Sequence, residues 1–410
     1  MYNTGSKNYN VALALLSALF FMWGLMTTMV FELSQEYKVV FSLSDKEILL
    51  IQFCFFGAYL LVSYPAAKYI DSYGYKSCMV FGCTTSAVGC LIFFLAAEMY
   101  SVHLLFASTF AVGAGITMLQ VSANTYVALL GMRGFGASKL TFAQAFNSLG
   151  TFIAIFFSGS LFMIFGRGGV DSLLNLDPKE YKGASVLYVE APYLVIGVLM
   201  LFFAFSLMFS KIPHLDTSRF KPLNVERPRS FIFQYKQVFF GAIAIFCYVG
   251  AEMSIYKHLA SMYSKQDNLI WLVPVYLGTA VAGRFSGAAI LRKISPRKCM
   301  VIYPIGALIL ISAYVILQNH SSGVWILACT GFFNSVLFPC IFTMGIDGMG
   351  SHTEEASAVL NMSIVGGAAV PFAVSTVGLN YGILLIFICY FSIAYFGLYG
   401  SRYKKRTNFY

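Results

Sequence analysis

From Ala356 to Gly400 the chain carries no charged side chain. That stretch is about twice the roughly 20 apolar residues that one membrane-spanning helix needs. Gly378-Leu379-Asn380-Tyr381-Gly382 supplies the turn chemistry that splits it into two crossings, 356–377 and 383–400. The same reading finds nearly charge-free stretches at about 11–31, 48–66, 77–97, 104–130, 141–165, 191–210, 237–256, 269–291, 299–319 and 323–346. These are continuously apolar, without the alternating pattern of barrel strands, so twelve helices in a lipid bilayer are expected. Charged residues make up 11% of the chain, against roughly a quarter in a soluble protein. An ordinary soluble enzyme is excluded.

An even number of spans puts both termini on one side, and basic residues mark the cytoplasmic side. Most of the 27 Lys and Arg, among them Lys68, Lys76, Lys139, Arg227, Arg229, Arg292, Arg297 and Lys405, fall on the N-terminal side of the bilayer. Both termini are therefore expected in the cytoplasm. The formal net charge of +10 follows from this asymmetry and asks for no nucleic-acid partner. No cleavable leader is evident, since the first apolar run has full span length. The nine cysteines lie within or at the ends of apolar spans, with no CxxC or metal spacing.

Residues 211–236 are the main break in composition, rich in charge and holding Pro213, Pro222 and Pro228. Six spans precede this segment and six follow, as expected of a duplicated carrier. Tyr75-Lys76-Ser77-Cys78-Met79-Val80 reads well against Pro296-Arg297-Lys298-Cys299-Met300-Val301, which sets Asp71 opposite Arg292 and Lys76 opposite Arg297. The expected fold is an all-α integral membrane protein of two pseudo-symmetric six-helix bundles. They are 1–210 and 237–410, joined by a cytoplasmic connector at 211–236.

Ala67-Lys68-Tyr69-Ile70-Asp71-Ser72-Tyr73-Gly74-Tyr75-Lys76 resembles the loop signature between spans 2 and 3 of the major facilitator superfamily, with Ala67 in place of its first Gly. The resemblance implies that Asp71, Gly74 and Lys76 belong to a latch between the halves. Further stretches resemble the fucose permease family, and its glucose/galactose transporter branch in particular. They are Ile51 to Tyr59, Gln144 to Gly150, Tyr248-Val249-Gly250-Ala251-Glu252, Gly283-Arg284-Phe285, Leu291 to Lys298, Phe333 to Pro339 and Ile364 to Ala368. The resemblance implies an alternating-access carrier with a central cavity for a monosaccharide, coupled to H+ or Na+, in a bacterial inner membrane. It implies a solute as partner and no cofactor. A monomer is expected.

A sugar site needs amides and carboxylates for the hydroxyls and an aromatic ring for the apolar face. In spans 4 and 5, Gln120 and Asn124 share one helical face, and so do Gln144, Asn147 and Ser148. The resemblance makes Gln120 and Gln144 cavity residues and Gln52 a further candidate, and Asn124, Asn147, Tyr248 and Asn334 are candidates for solute contact beside them. The plain alternative for these amides is helix-to-helix bonding. Glu252 and Arg284 are the two formal charges deep in spans. Glu252, one turn from Tyr248, is a candidate for cation coupling or for a structural pair. Arg284 is expected to snorkel toward the cytoplasm or to stabilise helix ends, a gating role shared with Arg292.

The family shows Asn-Asp near the outer end of span 1, where this chain has Val30 and Phe31; Glu32 follows, about 100° further round the helix, as a second coupling candidate. An uncoupled uniporter, a carrier of another small solute, or a membrane sensor remain the alternatives. The five His are scattered without HExxH, and phosphate-binding glycine loops are absent, so no catalytic or metal residue is expected and transport is not driven by ATP in this chain.

Overall fold

A computed structural model describes residues 6–32, 37–38, 41–130, 134–165, 178–213, 232–263, 269, 271–317 and 321–401. Among the described residues the chain is helical, with no strand. In hydrocarbon every backbone N–H and C=O must be satisfied within its own segment, and an apolar run achieves that as a helix.

The first part of the chain holds α1 (Ser6–Glu32), α2 (Asp45–Glu98), α3 (Val102–Leu119), a π-helical turn Gln120–Asn124, α4 (Thr125–Leu129), α5 (Gly136–Phe165) and α6 (Pro178–Phe209). After the connector come α7 (Lys236–Tyr263), α8 (Leu272–Ile290), α9 (Pro296–Ile316), α10 (Ser321–Ala328), α11 (Thr330–Asn334), α12 (Leu337–Ile346), α13 (Thr353–Met362), α14 (Gly366–Val377) and α15 (Leu379–Tyr395). Nine described helical segments are long and apolar enough to cross a membrane. One of them, Lys46–Glu98, spans 53 residues and changes direction at Gly74, so it accounts for two crossings. With α5 and α8 beside them, the helices are consistent with twelve crossings. Of the connector, residues 214–231 lie outside the described residues.

Local chemistry sets the helix limits. Helix α2 begins at a capping box, in which the Ser44 side chain accepts from the Glu47 N–H and the Glu47 carboxylate accepts from the Ser44 N–H at 2.8 Å. It breaks at Gly74, whose φ of 82° and ψ of 168° an L-residue rarely adopts. The charge-free run from Ala356 splits at Gly378, with nearly the same angles, φ 81° and ψ 168°. The tenth span is interrupted between Asn334 and Leu337, and the eleventh by a 3-10 turn at Ser363–Val365.

Helix α1 packs on α5, and α2 on α3 and α6; in the second part α7 packs on α12, α14 and α15, and α8 on α11. The two parts meet where α5 crosses α8 and where α2 crosses α13. The repeat in the sequence has a geometric counterpart. Lys76, at the start of the third span, donates to the carbonyls of Met208 and Ser210 at 2.9 and 2.8 Å, at the end of the sixth. Arg297, at the start of the ninth, donates to the carbonyl of Ser401 at 3.0 Å, at the end of the twelfth. Each cation satisfies carbonyls that the helix end leaves without partners.

Candidate functional site: a cavity between the two parts

A cavity of about 200 Å³ lies where α1, α2, α5, α7 and α8 converge. One wall is aromatic. Phe31 stacks on Phe56 with ring centroids 5.7 Å apart and 18° between planes, and meets Phe55 edge-on at 5.2 Å; Tyr59 and Trp23 extend the wall. Phe31 therefore occupies the cavity face on which the resemblance places a carboxylate. Glu32 ends α1, and its side chain lies outside the described residues.

Amides line the cavity as well. Gln120 lines the cavity and donates from Nε2 to the Tyr59 hydroxyl at 2.8 Å. Gln144, Asn147, Ser148 and Thr151 project from one face of α5, as the helical spacing requires. Asn147 donates to the carbonyl of Phe20 at 3.2 Å, which ties α5 to α1. Asn124 departs from expectation. The π-turn widens the helix at this point, so the i,i+4 relation to Gln120 no longer places both on one face. Asn124 is fully buried outside the cavity lining, where its Oδ1 accepts from Gln144 Nε2 at 3.1 Å.

From the second part, Tyr248, Glu252, Tyr256, Tyr276 and Arg284 reach the cavity. Arg284 does not snorkel. It is 8% exposed, lines the cavity, and donates from Nη1 to the carbonyl of Gln144 at 3.0 Å and to Asn147 Oδ1 at 3.4 Å. Acceptors on the facing helix α5 hold the guanidinium inside the cavity. Gln52 lies off the cavity lining and accepts a hydrogen bond from Lys257 Nζ. Asn334 also lies behind the wall, fully buried, accepting from Tyr390 at 2.6 Å and donating to the Tyr276 hydroxyl at 3.3 Å.

The Gly74 end of the molecule is closed by contacts that sequence reasoning missed. Tyr75 donates to Glu354 at 3.0 Å, Lys68 pairs with Glu355 at 3.2 Å, Thr125 donates to Ser357 at 2.6 Å, and Ser138 donates to the carbonyl of Ala288 at 2.6 Å. Glu354 and Glu355 stand just before the run beginning at Ala356, and an i,i+1 acidic pair at a helix start was the signal available. Asp71 lies three residues before the Gly74 break, and Arg292 is exposed beyond the end of α8. Lys76 joins helices of its own part of the chain, not the two parts. At the opposite end the parts touch through Phe53 and Phe372, centroids 5.9 Å apart, and through Phe156 and Trp271, 6.5 Å apart. Contacts thus lie on both sides of the cavity.

A helical, multi-pass membrane protein with a cavity of aromatic and polar side chains between two parts of one chain is the architecture of a carrier. The sequence profile of the Major Facilitator Superfamily matches residues 11–371, and the chain belongs to that superfamily. It is 36% identical over 411 residues to the glucose/galactose transporter of Brucella abortus biovar 1 (strain 9-941), covering 97% of this chain and 96% of the relative. It is 30% identical over 381 residues to the L-fucose-proton symporter of Escherichia coli (strain K12), covering 89% and 86%. The crystal structure of the transporter FucP in the outward conformation superposes with a TM-score of 0.84 at 26% identity, covering 97% of this chain and all of that one.

Proposed function

We propose that the protein is a secondary active transporter that moves a small polar solute, a hexose of the glucose, galactose or fucose type, by alternating access. In this reading it acts as a monomer in the inner membrane with both termini in the cytoplasm. Bundles 1–210 and 237–410, joined by 211–236, rock about the cavity. Gln120, Gln144 and Asn147 take the hydroxyls, with Tyr248 beside them. Phe31 and Trp23 cover an apolar sugar face. The Gly74 end is the cytoplasmic gate, where Asp71, Gly74 and Lys76 shape the turn that presents Tyr75 and Lys68 to α13.

The single observation that carries the reading is the cavity, whose amide and aromatic walls come from helices before the connector while Tyr248, Glu252, Tyr256, Tyr276 and Arg284 reach it from helices after the connector. The names of the relatives support a sugar as cargo, and the symporter among them supports coupling to a proton. Among the described residues lining the cavity Glu252 is the one carboxylate, and in this reading it is the coupling group. A second reading, an uncoupled carrier, has a specific observation in its favour: Phe31 stands where the resemblance places an acid.

Purified protein in proteoliposomes tests this directly. Labelled hexose should enter, and an inward proton gradient should concentrate it. Entry without concentration supports the uncoupled carrier, and no entry of any monosaccharide overturns the sugar reading.

A further inference from the structure

Glu252 on α7 and Arg284 on α8 are the two formally charged residues among the described residues lining the cavity. The Tyr248 hydroxyl lies beside both of them. That hydroxyl and Arg284 Nε are buried and have no hydrogen-bond partner, while Arg284 Nη1 is tied to Gln144 and Asn147 on α5. A buried guanidinium N–H and a phenol without partners are costly, so both groups are open to a partner at this site. The Tyr248 hydroxyl is placed to donate to Glu252 while its oxygen accepts from Arg284.

Resting on the reading just given, we propose that Tyr248 and Arg284 are positioning residues that relay the protonation of Glu252 to the amide wall of α5. An ionised Glu252 draws the Tyr248 proton, and the phenol oxygen then takes the Arg284 N–H, dividing the arginine between α7 and α5. A neutral Glu252 loosens that pull and leaves the guanidinium to Gln144 and Asn147. The same two residues face the solute, so cation binding in one part of the chain and solute binding in the other are linked through one side chain. Other groups facing Glu252 are Tyr276 on α8, whose hydroxyl donates to the Glu252 carbonyl at 3.4 Å, and Tyr390 on α15. On its own helix Lys257 is the nearest cation in sequence, and it is engaged by Gln52.

The test is hexose affinity of purified protein from about pH 5 to about pH 8. Wild type should change by about tenfold across that range, and Tyr248→Phe and Arg284→Gln should reduce the change below about twofold. Tyr248→Phe removes one oxygen and keeps the ring, so it separates the relay from loss of fold. Arg284→Lys should restore part of the slope, since an ammonium has no fork to serve α5 and Tyr248 together. If these variants lower affinity equally at every pH and keep the wild-type slope, Arg284 is a structural tie and the relay is wrong. Hexose binding with no slope in wild type removes proton coupling and the relay together, leaving the carrier intact. Absence of hexose binding refutes the parent reading itself.

Discussion

Tyr75 and Glu354, 279 positions apart in the chain, meet in a hydrogen bond of 3.0 Å with both side chains buried. Lys68 and Glu355, the latter adjacent to Glu354 in sequence, are more exposed, and an exposed pair contributes little. The buried bond is therefore the stronger part of the closure at the Gly74 end. Tyr75→Phe should weaken that closure by about 1 kcal/mol, a shift of roughly fivefold toward the state open on that side. Labelling of a single cavity cysteine from the proposed cytoplasmic face, in a background without the native cysteines, measures it.

Gln120→Ala should lower hexose affinity at least tenfold, because one amide worth about 1.5 kcal/mol is removed from the polar wall. The Tyr59 hydroxyl that it leaves faces the cavity and can turn to water, so the melting temperature should stay within a few degrees. Equilibrium binding and thermal unfolding on the same sample separate the two effects.

Phe31→Ala tests the aromatic wall. The ring stacks on Phe56 at the cavity edge, so the variant should lose about tenfold in affinity for a hexose through lost contact area. Unchanged affinity would move the apolar face of the solute elsewhere.

Asn334 joins Tyr276 and Tyr390 behind the cavity. Asn334→Ala leaves the buried Tyr390 hydroxyl without its acceptor and Tyr276 with only its long bond to the Glu252 carbonyl, and should cost about 1–3 kcal/mol of stability. Solute affinity in the surviving folded protein should fall far less than in Gln120→Ala. Thermal unfolding in detergent, followed by binding, decides between a structural and a contacting role.

Gly74→Ala places a Cβ at a φ of 82° and should destabilise the turn by about 1–2 kcal/mol. The effect should appear as a lower melting temperature with unaltered binding at low temperature.

Much of the fold was legible in the sequence because hydrocarbon permits few solutions. Long apolar runs became helices, Gly378 split the charge-free run, and the match between Lys76 and Arg297 reappeared as two cations capping two helix ends. The candidate site was legible where a regular helix carried it, as with Gln144, Asn147 and Ser148 on α5. It was not legible at Asn124, since one π-turn altered the spacing on which the reading relied. Nor was it legible at Arg284, where a chain-distant carbonyl decides the rotamer.

Composition and the period of apolar residues settled the helices and their membrane setting, because the bilayer acts on each segment separately. Which polar groups share the cavity, and that Phe31 faces it, were decided by tertiary packing. A side chain's partner there stands on another helix, and no local pattern records the distance between them.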